Sequence, residues 1–484
     1  MKIIYNHTLA RNLKGFSLFA TSFAYISILT GVFQTFGLGM NLAGAAFSWG
    51  WILVLIGNSF IALNFAELAA HYPLSGGIYQ YAKYIASPFV GWLTGWMFLI
   101  CNVITLAAVP LALQNTLTTV SPVFHFIGQV SNSQDIVVNA VFLGVILLVI
   151  STLLTSFASE LLVKINNTIV MIEIVFLLLL LLFLFFYGKH DLSDIVFDTS
   201  NKGDVFSKQY LIHFLSAMSV TACYTLYGYD TAGTFGEETV DPNKRSSWSI
   251  LLALWSAGIF AWLLTVFALK AAPDLSAIEL YSNAGLAHII KTIDNNSWIS
   301  RIFCLAAGLA IASCTFSVHS NLTRLIFAIA RDNLLPFSNR LTYISSRFKS
   351  IIFSSILSGV LAIFFLMAQI IYAESFEMII ALAASFANFS YLIVIASLLY
   401  ARLKGWPQQR SKTFYLDRKF ALFVNIVALL WGIFVVINLN LPRNSIESNP
   451  IKLYSGAIFT LFIVFIGVAF WFFRRNRVAW PSRV

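Results

Sequence analysis

Apolar residues run along this 484-residue chain in long blocks separated by short polar breaks. The block from Ile169 to Tyr187, IVMIEIVFLLLLLLFLFFY, carries one charge and is long enough to cross about 30 Å of hydrocarbon as a helix. Such unbroken runs exclude a transmembrane β-barrel, whose strands alternate apolar and polar residues. The pattern predicts twelve membrane helices, at roughly 16–39, 48–71, 89–118, 136–157, 163–187, 208–236, 246–271, 299–330, 350–372, 376–401, 418–440 and 452–473. Several are longer than the usual span of about 20 residues, which predicts tilt or a break.

Composition narrows the class. Hydrophobic types make up 59% and charged types 10%, too few charges to cover the surface of a soluble domain. Disorder is excluded by 45 Phe, 18 Tyr and 12 Trp. The net charge of +10 first suggests nucleic acid, but its placement argues otherwise. With the N-terminus in the cytoplasm, 22 of the 30 Lys and Arg fall in cytoplasmic segments. That is a topology signal with both ends inside, in a plasma or bacterial inner membrane, and no nucleic-acid partner is expected. The stretch MKIIYNHTLARNLKGF is too polar for a signal-peptide core, so the first span is expected to insert and stay. Cys101, Cys223, Cys304 and Cys314 all lie in apolar segments without metal-ligand spacing, so neither a disulfide framework nor a zinc site is expected.

Two spans carry glycine-rich interruptions: SILTGVFQTFGLG (27–39) in span 1 and YTLYGYDTAGTFGEE (224–238) in span 6. In hydrocarbon such interruptions are tolerated only where they line a cavity. Breaks at matching positions of two halves point to a transporter with a midplane site. Amides freed at a broken helix suit a carboxylate, and freed carbonyls suit an ammonium or a cation. The alternative for span 1 alone is that Gly31, Gly37 and Gly39 serve close helix packing.

Five motifs then carry a resemblance over nearly the whole chain: LTGVF (29–33), AELAAHYPLSGGIYQYA (66–82), SPFVGWLTGW (87–96), YGYDTAGTFGEETVDPNKR (227–245) and TRLIFAIARDNLLPFS (323–338). The chain resembles amino-acid permeases of the amino acid–polyamine–organocation superfamily, in particular the amino acid, GABA and choline branch. The resemblance implies an all-α, LeuT-like fold of about 12 transmembrane helices. Residues 15–190 and 205–402 would be five-helix inverted repeats, with broken helices 1 and 6, and 418–475 two accessory helices, all in one transporter domain. It implies a permease moving an amino acid or related amine by alternating access. Thr30 and Gly31, flanked by Ser27 and Leu29, match the pair whose amides hold the substrate carboxylate. Tyr224, Thr225, Tyr227 and Gly228 match the stretch that receives the substrate amine. The family has glycine where this chain has Leu29, which puts the local backbone geometry in question.

Ionisable and polar residues at membrane depth are functional candidates by default. Glu173, in an INNxxxxxE context, is a candidate for proton coupling, cation binding or a structural hydrogen bond. Asp230 is a candidate for architecture at the break, for gating or for contact with an amine. Glu237, Glu238 and Glu67 read as a solvated membrane edge, with an inner-gate pair to Arg324 or Arg331 as the alternative. His319 reads as packing, or as a substrate contact or proton shuttle. Asn102 is a lining candidate, and Tyr224 and Tyr227 could equally be packing aromatics. Thr315, Ser317 or Ser320 could supply sodium ligands.

No GxSxG, HExxH or P-loop motif occurs, and the seven His form no cluster, so no enzyme activity, metal or cofactor is expected. The expected partners are membrane lipid, a small-molecule substrate and a co-transported proton. Exchange, and transport of GABA, choline or a polyamine, remain open beside proton symport. A zwitterion is the simplest load, because no Lys or Arg lies deep in any span.

Overall fold

A computed structural model describes residues 11–128, 132–199, 203–275, 278–293, 298–370, 376–409, 411–441 and 454–475. Helices are the regular structure of the described residues, which hold no strand beyond two isolated β-bridges, Leu13 to Thr239 and Ser75 to Phe235. Ten helical stretches are long and apolar enough to cross a membrane. The two predicted spans missing from that set are the ninth, a helix of 17 residues, and the sixth, which is broken.

Span 1 is α1 (Gly15–Ile26) and α2 (Ile28–Ala43), with Ser27 between them at φ 41°, ψ 92°. Span 2 is α3 (Trp49–His71), followed by a short helix, α4 (Ile78–Ile85). Span 3 starts at Ser87, whose side chain caps α5 (Pro88–Ala108), with proline at a helix start where its missing N–H costs nothing. It continues through a 3-10 turn containing Pro110 into α6 (Leu113–Val120). Spans 4 and 5 are α7 (Ser133–Phe157) and α8 (Ser159–Phe186), and α9 (Leu192–Phe197) is a short helix beyond them.

Span 6, predicted at 208–236 with an interruption at 224–238, is broken there and into several pieces. It consists of α10 (Lys208–Val220), α11 (Ala222–Thr225), an unwound stretch, and α12 (Thr231–Thr234). A 3-10 turn follows at Gly236–Glu238. The physical reason is local: Gly228 sits at φ 86°, outside helical space, and Gly233 and Gly236 add no side chain to hold a helix. Span 7 is α13 (Pro242–Ala271), and α14 (Ile278–Ile293), kinked at Gly285, lies against α2. Spans 8 to 12 are α15 (Trp298–Arg331), α17 (Ile352–Ala368), α18 (Phe376–Leu403), α19 (Arg418–Asn440) and α20 (Ser455–Arg474). A four-residue turn, α16 (Ser338–Leu341), precedes span 9.

The broken helices lie at the centre. α1 packs on α13, α15 and α8, and α11 touches α2, α3 and α18. Helices at the rim show apolar side chains outward, as in Phe185 and Phe186 of α8 and Phe465 of α20. α19 packs on α18 and α3, and α20 on α5 and α18.

One end of the bundle, where the N-terminal segment lies, is tied by charge. Leu13 exchanges backbone hydrogen bonds with Glu238 and Val240. Arg324 donates to Glu238 at 2.5 and 2.8 Å and lies 4.1 Å from the Phe235 ring. Arg331 donates to Glu237 at 3.0 and 3.1 Å, and Glu237 also accepts from the Ser75 amide. Lys83 reaches Asp332 at 2.7 Å, and Tyr79 donates to the same carboxylate. Burial pulls the Lys83 ammonium below the ordinary lysine range, while Asp332 pulls the other way. Glu67 is not a solvated edge residue: it is 0% exposed and bonded to Arg402 at 2.6 Å. Glu237 and Glu238 are likewise in the paired geometry that was the alternative to a solvated face.

A candidate substrate cavity between the broken helices

The break in span 1 follows from Ser27. Its φ of 41° stops α1, and Gly31 is the first amide of α2 to find its carbonyl, Ser27 O at 2.9 Å. The amides of Ile28, Leu29 and Thr30 therefore lack partners within their own helix, as at any helix start. The Ser27 hydroxyl is 2.6 Å from Thr30 Oγ1 and donates to Glu173 Oε1 at 3.2 Å. The Leu29 amide faces the same carboxylate. Glu173 is 1% exposed, and its Oε2 has no hydrogen-bond partner among the described residues.

The break in span 6 leaves backbone groups that other spans take up. Asn58 donates to Leu226 O at 2.7 Å, and Ser22 accepts from the Ala232 amide at 2.7 Å. Tyr391 accepts from the Gly228 amide at 2.9 Å and donates to Asp230 Oδ1. A helix break buried in a membrane protein needs such partners, because unpaired backbone groups there cost several kcal/mol each, as an order of magnitude.

Two glycines let the breaks meet. A Cβ on Gly31 would stand 2.2 Å from Thr225 Cγ2, and one on Gly228 would stand 1.9 Å from the Tyr25 ring. Each broken helix thus presses a glycine against a side chain of the other. Beside this contact lies a small cavity of about 20 Å³. Thr30, Gly31, Tyr224, Thr225 and Tyr227 line it, all singled out from the sequence. Tyr25, Gln34, Thr105 and Cys314 also line it, and were not. Gln34 carried a signal that the motif reading passed over: it is polar in an apolar span, one turn beyond Thr30 on the same face.

The other sequence candidates fall elsewhere. Ser27, Leu29 and Gly228 form the walls of the breaks rather than the lining. Asn102 stands behind Tyr25, accepting from its hydroxyl at 3.1 Å and from Asn321 at 3.0 Å. His319 lies outside the lining: its Nδ1 meets Ser151 at 2.8 Å and its Nε2 meets Ser355 O at 3.0 Å. It thereby joins spans 4, 8 and 9, as a packing histidine does. Thr315 donates to Ile311 O, and Ser317 to Asn166 Oδ1, at 2.8 and 3.2 Å.

The fold and this cavity define a polytopic helical membrane protein with a buried polar site at two helix breaks. The comparisons with known proteins say which. The family model described as amino acid permease matches residues 13–470, and the chain belongs to that family, within the amino acid–polyamine–organocation superfamily. It is similar to amino-acid permease BAT1 of Arabidopsis thaliana, 26% identical over 467 residues, covering 90% of this chain and 87% of the relative. Amino-acid permease 2 of Neurospora crassa is 23% identical over 469 residues, covering 93% and 83%. The thiamine transporter thi9 of Schizosaccharomyces pombe is 25% identical over 391 residues, covering 71% and 64%. The family is one of transporters of amino acids or related organocations, and the chain is an integral membrane protein.

Proposed function

We propose that this permease moves a zwitterionic amino acid by alternating access through the cavity between its broken helices, coupled to protons by Glu173. One observation carries the reading: the Glu173 carboxylate is hydrogen-bonded to Ser27, the residue at which span 1 breaks. Gain or loss of a proton on Glu173 changes that bond, and with it the helix start that borders the cavity.

The substrate class follows from charge. Among the described residues, no Asp, Glu, Lys, Arg or His side chain lines the cavity. Isolated charges are costly to bury, so the load must bring both signs and set them against backbone groups. The amides at the start of α2 suit the carboxylate, and the unwound carbonyls of span 6 suit the amine. The lining tyrosines Tyr25, Tyr224 and Tyr227 favour a second reading, a cationic amine held by aromatic faces. Its lack of a carboxylate leaves the Thr30 amide unmatched.

Spans 1–5 and 6–10 act as the two inverted repeats, and lipid covers the outer faces of the rim helices. The basic excess puts both termini in the cytoplasm. The Arg324–Glu238 and Arg331–Glu237 pairs then close the cytoplasmic side, with Asp230 and Tyr391 holding the span 6 break to span 10.

The test is uptake into proteoliposomes of a labelled panel of amino acids, GABA, choline and putrescine, with and without an inward proton gradient. Uptake of one zwitterionic class, raised by the gradient, is the expected result. Uptake that needs amino acid inside makes the protein an exchanger, and uptake of choline or putrescine alone replaces the zwitterion. Silence across the panel overturns the reading.

A further inference from the structure

We propose that Gln34, with Tyr224, reads the side chain of the transported amino acid and selects short uncharged side chains that hydrogen-bond. This rests on the transport reading above and adds a specificity residue to it.

Most polar atoms of the lining are already firmly engaged, apart from the Thr225 hydroxyl, which has no hydrogen-bond partner among the described residues. Tyr25 donates to Asn102 at 3.1 Å, Thr30 meets Ser27 at 2.6 Å, and Thr105 meets Tyr227 at 2.7 Å. Gln34 is different. Its Nε2 reaches Ala108 O at 3.4 Å, and its Oε1 accepts from Tyr224 at 3.4 Å. Both lie at the long edge of hydrogen-bonding distance, so a ligand group that approaches closer displaces them at little cost. The amide offers both donors and an acceptor, and the Tyr224 hydroxyl offers one of each.

Position adds to this. Seven residues of helix place Gln34 roughly 10 Å beyond Ser27. An amino acid whose backbone charges sit at the helix breaks extends its side chain along the same face of α2, past Thr30, towards Gln34. There it meets a neutral amide and a phenol, with no counter-charge among the described lining residues for an ammonium, guanidinium or carboxylate. A hydroxyl or carboxamide side chain satisfies the pair. A purely apolar one leaves the two residues with only their long mutual contact.

The experiment is competition and direct uptake in proteoliposomes with serine, threonine, asparagine and glutamine against alanine, valine, lysine and glutamate. Wild type, Gln34→Leu, Gln34→Glu and Tyr224→Phe are compared, each checked for a monodisperse profile. The wild type should favour the hydroxyl and carboxamide group. Gln34→Leu should lower the serine-to-alanine affinity ratio about tenfold, the size expected for one or two lost hydrogen bonds. Tyr224→Phe should lower it in the same direction. Gln34→Glu places a carboxylate in the cavity and should bring measurable lysine uptake. An unchanged serine-to-alanine ratio in Gln34→Leu, with no lysine uptake by Gln34→Glu, overturns the assignment and leaves the transport reading standing. A wild type that carries no amino acid overturns both.

Discussion

Glu173 sits one hydrogen bond away from the point where span 1 breaks, and this sets the sharpest expectations at the scale of single residues. Gln at this position keeps the shape and can still bond to Ser27, but it cannot exchange a proton. Glu173→Gln is expected to bind substrate while losing accumulation against a gradient, read as equal steady-state levels inside and outside the vesicle. Concentrative uptake at pH 6 that survives the change would contradict the coupling role. Gly228 gives a structural counterpart. Its φ is 86°, and a Cβ there meets the Tyr25 ring. Gly228→Ala should destabilise the protein by about 1–3 kcal/mol through overpacking and backbone strain, seen as a lower Tm in nanodiscs. A wild-type Tm would mean that span 6 relaxes away from Tyr25. Some of these residues were legible in the sequence, because glycine and carboxylate are rare enough at membrane depth to stand out. The orientation of His319 was not, since a helix of period 3.6 offers it several faces and only the partners Ser151 and Ser355 O decide among them.

Helices and their junctions obey a different limit. Apolar blocks predicted nearly all of the spans, with ends displaced by a few residues where capping decides, as at Ser87 before α5. The fragmentation of span 6 was only half visible, because its glycines mark a break without saying how many residues unwind. Pairing between distant elements was invisible. Glu67 looked like an edge charge, yet Arg402, far along the chain, folds against it together with Asn64 and Asn425. This cluster ties spans 2, 10 and 11. Removing one member of a buried pair strands the other, at about 3–5 kcal/mol, whereas replacing both with apolar residues is close to neutral. Arg402→Met should therefore lower stability markedly, and Glu67→Leu combined with Arg402→Met should recover most of it. Thermal unfolding of the two variants side by side checks this. A double variant no more stable than the single would show that the pair itself holds these spans together.

For the whole molecule, the two breaks meeting over Gly31 and Gly228 are the feature that turns a helical bundle into a candidate transport path. Charge pairs tie one end of the bundle, and the cavity lies between the breaks. The family and the positions of the breaks could be read from motifs along the chain. Contact between the breaks could not, because it depends on Tyr25 and Thr225 approaching across the bundle. The most direct test compares uptake of a labelled neutral amino acid by wild type and Gly31→Val in proteoliposomes, with equal amounts of monodisperse protein. A valine side chain would collide with Thr225, so saturable uptake is expected of the wild type and none of the variant. Saturable uptake by Gly31→Val at wild-type affinity would show that the substrate does not pass between the broken helices.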